Sequence, residues 1–208
     1  GVAPQVLTTA AGYCWLNAAY GAIASNDPAA LQALVRQFSR FEAAAAVSAS
    51  ADYDGAFPLN DPVSLPGTGL VVHVAHDALV VSAGEPRASS WASPRAGSLV
   101  VDGHEPTLRS PRSMSQFDLA VPSREVARIG AEELLAARDL ADQIVPGLFD
   151  RYVTDVIPLV AEPGIAHAGT DDAAPWAGYL SFGREPADLV AALAHEESHA
   201  LVQTLAKL

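Results

Sequence analysis

Near the C-terminal end of the chain, in "LAHEESHALV", two histidines stand four residues apart with a glutamate directly after the first: His195, Glu196 and His199. On an α-helix, residues four apart lie within about 40° of one another, so two imidazoles can turn ring nitrogens toward one ion. Glu196 is rotated about 60° from His199 on that helix. It can act on a water held by the same ion or orient a ligand. The pattern therefore reads as a metal site, with His195 and His199 as ligands and Glu196 as the catalytic carboxyl. A solvated His/Glu face uses the same residue types, and context separates the two. Here a strand, a tight turn and an amphipathic helix surround the motif. Glu197 falls further round the helix and is expected in solvent. Ser198 has no G-x-S-x-G elbow, which argues against serine hydrolase chemistry.

A third ligand would decide the class. A metzincin places glycine and then histidine at the positions held here by Val202 and Leu205, so that pattern fails. A thermolysin-like site takes a glutamate from well downstream. Upstream candidates are His167 with Asp171 and Asp172, His104 with Glu105, and His73 with His76. The last two are three apart and would face opposite sides of a strand. For each of these, an ordinary surface or core histidine is the simpler reading, and the coordination shell stays open. Arg184 is near enough in sequence to attract a carboxylate, although an arginine on a turn is more often solvated.

The elements that must hold these residues are legible in outline. Glu185 and Pro186 start the motif helix, with Leu189, Leu193, Val202 and Leu205 as its apolar back. "WAGYLSFG" (176–183) before it reads as a strand, and a loop rich in Gly, Pro and Asp precedes that strand up to Ala174. From Ser123, a plausible N-cap, Val126, Gly130, Leu134, Ala137, Ala141 and Ile144 keep a helical face until Pro146. "LFDRYVTDVI" (148–157) reads as a further helix presenting Phe149, Tyr152, Val153 and Val156. At the other end, "GYCWLNAAYGAIA" is apolar nearly all round and reads as a buried helix. Asp27 and Pro28 then cap a second helix with a stripe of Leu31, Leu34, Val35, Phe38 and Phe41, with Arg36 and Arg40 off it. Between Ala51 and Pro122, short β-branched runs such as "GLVVHVAHDALVVSAG" and "GSLVVDG" read as antiparallel strands. "LPGTG" (65–69) imitates a sorting signal without its C-terminal position or basic tail, and is discarded. The expectation is an α+β fold: helical ends flanking a small antiparallel sheet, divided into 1–122 and 123–208, with the motif on the last long helix.

Charge and composition narrow the partners. With 24 acidic against 12 basic residues the net charge is −12, which repels phosphate backbones and argues against nucleic acid. Cys14 is the single cysteine, so disulfide frameworks and cysteine-based metal sites are excluded, and burial as a small hydrophobe is its simplest role. No run is apolar enough to span a membrane, and the first residues lack a signal-peptide pattern. A cytoplasmic protein is expected.

The stretch "GYLSFGREPADLVAALAHEESHALVQTLAKL" (178–208) resembles the core of the HExxH-type peptide β-hydroxylases: a short strand, a polar turn with Asp-Pro or Glu-Pro, then an L-x-H-E-x-x-H-x-x-L helix. The similarity extends upstream through the helices from Ser123. That family is iron(II)- and 2-oxoglutarate-dependent and hydroxylates a side-chain β-carbon in ribosomally synthesised peptides. The resemblance implies that His195 and His199 are iron ligands, that a precursor peptide is the partner, and that open coordination positions serve 2-oxoglutarate and O₂ in the manner of a facial triad. Glu196 matches the motif glutamate. The strand at 176–183 is expected to offer a free edge to which a substrate peptide adds. The family's domain continues past its motif helix, with an Arg/Pro-rich segment and a histidine-bearing helix. This polypeptide is therefore expected to be part of a longer one.

Two other classes use the same five residues. A zinc(II) metallopeptidase would have Glu196 deprotonate a water that attacks an amide. A non-catalytic module would use the fold only to bind a peptide. Cosubstrate dependence and metal preference separate the three.

Overall fold

Thr9 opens the first helix, α1 (Ala10–Ala24), by accepting the Gly12 N–H with its hydroxyl at 3.1 Å. Asp27 caps α2 (Pro28–Ser48), its Oδ1 accepting the N–H groups of Ala29 and Ala30 at 3.1 and 2.9 Å, with Pro28 where its missing N–H costs nothing. The two helices meet through Trp15, whose ring lies 5.2 Å from Phe38 and 5.8 Å from Phe41. The expected burial of α1 on all sides fails. Tyr20 and Ile23 are 74% and 63% exposed, because a single partner helix covers a single face. Arg40, expected off the apolar stripe, is buried and donates to the Ser64 carbonyl. Cys14 is buried as expected.

The computed structural model describes residues 9–51, 53, 56–57, 63–66, 68, 70–72, 79–80, 90–101, 108, 124–159 and 165–206. The fold is α+β. The chain forms two compact units, residues 1–92 with 104–107, and residues 93–103 with 108–208. In the first unit, besides α1 and α2, β1 (Ala56–Phe57) pairs antiparallel with β4 (Leu79–Val80). There too, β3 (Leu70–Val72) lies antiparallel between β2 (Val63–Leu65) and β5 (Ser90–Ala92).

The second unit holds the HExxH motif. Its sheet contains β6 (Arg95–Ala96), β7 (Leu99–Val101), β8 (Asp155–Leu159), β9 (Ala168–Asp171) and β10 (Ala174–Ser181), in the order β6-β7-β8-β10-β9. The outer pairs are antiparallel, while β7–β8 and β8–β10 are parallel. Parallel neighbours need a crossover. Helix α3 (Arg124–Asp142) lies in the connection from β7 to β8, and the hairpin strand β9 in that from β8 to β10. Because β6 and β7 pair into this sheet, the division between units falls near residue 92 and not at the expected 122.

Two sequence expectations change here. Residues 148–157 are not one helix: a 3-10 turn at Leu148–Asp150 leads into β8. The β-branched residues Val153, Thr154, Val156 and Ile157 favour the strand, and Val156 and Ile157 are fully buried at the centre of the sheet. Pro158 lies beyond the residues paired with β7, where β8 has a neighbour on one side only. The Gly/Asp-rich loop before Ala174 contains β9, so β10, expected as a free edge, is an interior strand.

Helices α3 and α4 (Pro186–Leu205) pack on each other and on the sheet. Ala127, Ala131, Leu134 and Ala137 of α3 share one core with Leu189, Leu193 and Ala200 of α4 and with Leu99, Val101, Val156 and Leu180 of the strands. Val126 and Ile144, read as part of the α3 face, are exposed, and Ile144 lies past the helix end. Ser123, its expected N-cap, lies outside the described residues. No helix among the described residues is long and apolar enough to cross a membrane.

Candidate metal centre

The turn that aims α4 is held at each residue. Gly183 takes φ +84, a conformation open to glycine, and its N–H donates to the Glu133 carboxylate on α3 at 2.8 Å. Arg184 is half-buried rather than solvated. Its guanidinium bonds the His167 carbonyl and, at 2.6 Å, the Ser181 hydroxyl, joining the start of β9 to the end of β10. Burial lowers its pKa, with Asp188 opposing. Pro186 then begins the helix, as its sequence position suggests.

Glu197 is the second anchor, and the expectation that it faces solvent is wrong. It is buried, and its carboxylate accepts the N–H of Tyr152 at 2.9 Å and of Val153 at 3.2 Å. These are main-chain donors at the entrance to β8 with no sheet partner of their own. Burial raises the Glu197 pKa, and the two N–H groups oppose that rise. Leu189 and Leu193 anchor the apolar back as expected, but Val202 and Leu205 are 63% and 59% exposed.

With the helix so fixed, His195 and His199 stand on its open face, and their Nε2 atoms converge to 2.9 Å with the rings nearly perpendicular at 74°. Two nitrogens about 2.1 Å from one ion and about 90° apart lie about 3.0 Å from each other. The pair thus has the spacing a shared ion requires, and one ring proton hydrogen-bonded between them satisfies the same distance. Glu196 is 2% exposed. The Thr170 hydroxyl hydrogen-bonds it, while its Oε2 is buried with no hydrogen-bond partner. Burial raises its pKa, and the two imidazoles and Thr170 oppose this. An unpaired buried carboxylate oxygen beside two converging imidazoles fits a site built around a cation.

Comparison with known protein families, with characterised proteins and with solved structures returns no match. The chemistry is therefore read from the site itself.

A cavity of about 510 Å³ opens over the pair, lined by Ala168, Gly169, Thr170, Asp171 and Asp172 from the β9 hairpin and by His195, Glu196, His199 and Gln203 from α4. Among the described residues no third His, Cys, Asp or Glu forms a metal-holding group with the imidazoles. Asp171 and Asp172, expected as upstream candidates, do reach this cavity. Asp171 Oδ1 accepts the Ala173 N–H at 2.7 Å and so shapes the hairpin turn. His167 is not among the lining residues, and its main chain is used in the β9–β10 junction. His73, His76, His104 and Glu105 lie outside the described residues. The Ser198 hydroxyl bonds back to the His195 carbonyl at 2.6 Å, a helix contact and not a nucleophile's.

Sequence reasoning missed two residues of the site. Gln203 lies four residues after His199 on the same helix face, a spacing that marks it. Its Oε1 is buried with no partner, and its Nε2 is 3.5 Å from Thr170 Oγ1. Thr170 carries no such signal, because its strand is hidden in a Gly/Asp-rich segment.

The residues present fit a mononuclear metal ion. They fit 2-oxoglutarate less well, since its distal carboxylate calls for a cationic anchor, and no lysine or arginine is among the described residues that line the cavity.

Proposed function

We propose that the chain carries the metal-binding part of an iron(II)- and 2-oxoglutarate-dependent enzyme that hydroxylates a side-chain β-carbon in a ribosomally synthesised peptide. The observation that carries this reading is the His195–His199 pair converging at 2.9 Å on the open face of α4, in the strand–turn–helix setting that resembles the peptide β-hydroxylases. In that family iron activates O₂ at the expense of 2-oxoglutarate. The work of this chain's own residues is to present two neutral imidazoles, to keep a carboxyl beside them at Glu196, and to hold the helix rigid through Glu197 and the Gly183–Arg184 turn. The anchor for the distal carboxylate of 2-oxoglutarate is not among the described lining residues, so no step is assigned to that group. The proposed setting is cytoplasmic, with a precursor peptide as partner.

One observation favours a second reading, a zinc peptidase. Glu196 Oε2 is unpaired beside the imidazoles, where a general base for water attack on an amide would stand.

The deciding experiment is succinate formation from 2-oxoglutarate in air, with iron(II) supplied and zinc(II) as the control. Iron-dependent succinate that disappears in His195→Ala is the expected result. Tightly held zinc without succinate, together with cleavage of a peptide library, would replace the hydroxylase by the peptidase. A folded protein that binds neither metal would leave only a peptide-binding role.

A further inference from the structure

In the strand order β9 has a neighbour, β10, on one side only. All four of its residues, Ala168–Asp171, line the cavity that contains His195, Glu196 and His199. Antiparallel pairing decides which of its main-chain groups are already used. The Ser181 N–H donates to the His167 carbonyl at 3.0 Å, which makes 167↔181 a hydrogen-bonded pair. Strict alternation then makes Gly169↔Tyr179 the next bonded pair, with Ala168↔Leu180 the non-bonded pair between them. The N–H and C=O groups of Ala168 and Thr170 therefore point away from β10.

The side chains along this edge are small, and Ala168 is exposed. None of the devices that blunt an edge, such as a lysine, a proline or a bulge, is placed on β9 itself. The Thr170 hydroxyl reaches Glu196 and Gln203, which shows that its side-chain face is the face carrying α4.

We propose that the substrate binds as an extended peptide segment added to the outer edge of β9, its main chain hydrogen-bonded to Ala168 and Thr170. Alternate side chains of the added strand then lie on the face shared by Thr170 and the imidazoles, and one of them stands over the His195–His199 pair. A second copy of this chain is not the occupant. Four edge residues provide far less than the roughly 1,200 Å² of a stable protein interface, whereas a short peptide gains further contact inside the cavity. The proposal rests on reading the site as a metal centre that modifies peptides, and it names how the substrate is held.

The test uses a library of acetylated, amidated heptapeptides panned against the zinc-loaded protein. The tightest binder is then resynthesised with a single N-methyl amide at each position in turn. N-methylation should weaken binding at alternate residues, by at least about tenfold, and have little effect between them. Ala168→Pro should weaken binding equally while circular dichroism and the cobalt(II) absorption spectrum stay as in the parent protein, because proline on an edge removes only an outward N–H. Should Ala168→Pro fail to fold, Thr170→Pro removes the other outward N–H. A flat N-methyl profile, unchanged affinity in a folded proline variant, or a library without binders overturns the proposal. Alternating N-methyl sensitivity without iron-dependent hydroxylation would discard the oxygenase reading and keep the docking mode. Hydroxylation with a flat profile would do the reverse.

Discussion

The two glutamates that follow His195 have opposite duties although they are adjacent. Glu197 turns into the protein and holds the β8 entrance by two main-chain N–H groups. Removing it leaves those donors buried and unpaired, so Glu197→Ala should cost about 2–3 kcal/mol of stability, read by urea denaturation. Glu196 turns into the cavity, and Glu196→Gln should leave stability nearly unchanged. In a hydrolase the same change should lower turnover about 10²–10⁴-fold, whereas an oxygenase should keep forming succinate. His195→Ala and His199→Ala remove exposed side chains. Both should abolish cobalt(II) binding, seen in its absorption spectrum, with the melting temperature of the metal-free protein preserved. Burial raises both glutamate pKa values, so the folded state holds protons that the unfolded state has released. Above the ordinary carboxylate range, the metal-free protein should therefore lose stability as pH rises through the raised values. A Glu196→Gln, Glu197→Gln double variant should show a flatter pH dependence in the same thermal melts.

At the scale of elements, α4 is aimed by what grips its two ends and its back. Phe182, just before the turn, packs where α3 has no side chain: a Cβ on Gly130 would lie 2.5 Å from the Phe182 ring. Gly130→Ala must push that ring aside, and overpacking of this kind should cost about 1–3 kcal/mol despite alanine's better helix propensity. Cobalt(II) affinity should fall with it if the Phe182 contact aims the helix, and chemical denaturation with cobalt titration reads both effects. The strained point of the sheet is Trp176, at φ +71, where the register of β10 shifts against β9. Its indole N–H reaches the Thr204 hydroxyl on α4 at 3.2 Å. The irregular segment thus ties the strand to the C-terminal part of the motif helix.

For the molecule as a whole, every described residue of the cavity and every contact that aims α4 belongs to the second unit. A polypeptide of residues 93–208 should therefore unfold cooperatively and bind cobalt(II) with the spectrum of the full chain, as circular dichroism and absorption would show. Loss of metal binding in that polypeptide would mean that the first unit takes part in the site. The −12 net charge belongs to this scale too, as a bias against polyanionic partners.

Local periodicity carries whatever one element decides alone, and that much was readable beforehand: the α2 cap, the Pro186 start, the Leu189–Leu193 back of α4, and His195, Glu196 and His199 on one face. The α+β class followed from alternating helical and β-branched stretches. Long-range packing decided the rest. Nothing local distinguishes Glu197 from a solvated neighbour, because the Tyr152 and Val153 donors that bury it lie 45 and 44 residues away. The strand at 155–159 outweighed a plausible helical spacing once it had partners on the sheet. A Gly/Asp-rich segment became β9 because Tyr179 and Leu180 offered it a ladder. Which strand forms the edge beside the imidazoles is a property of strand order, and strand order exists only in the folded chain.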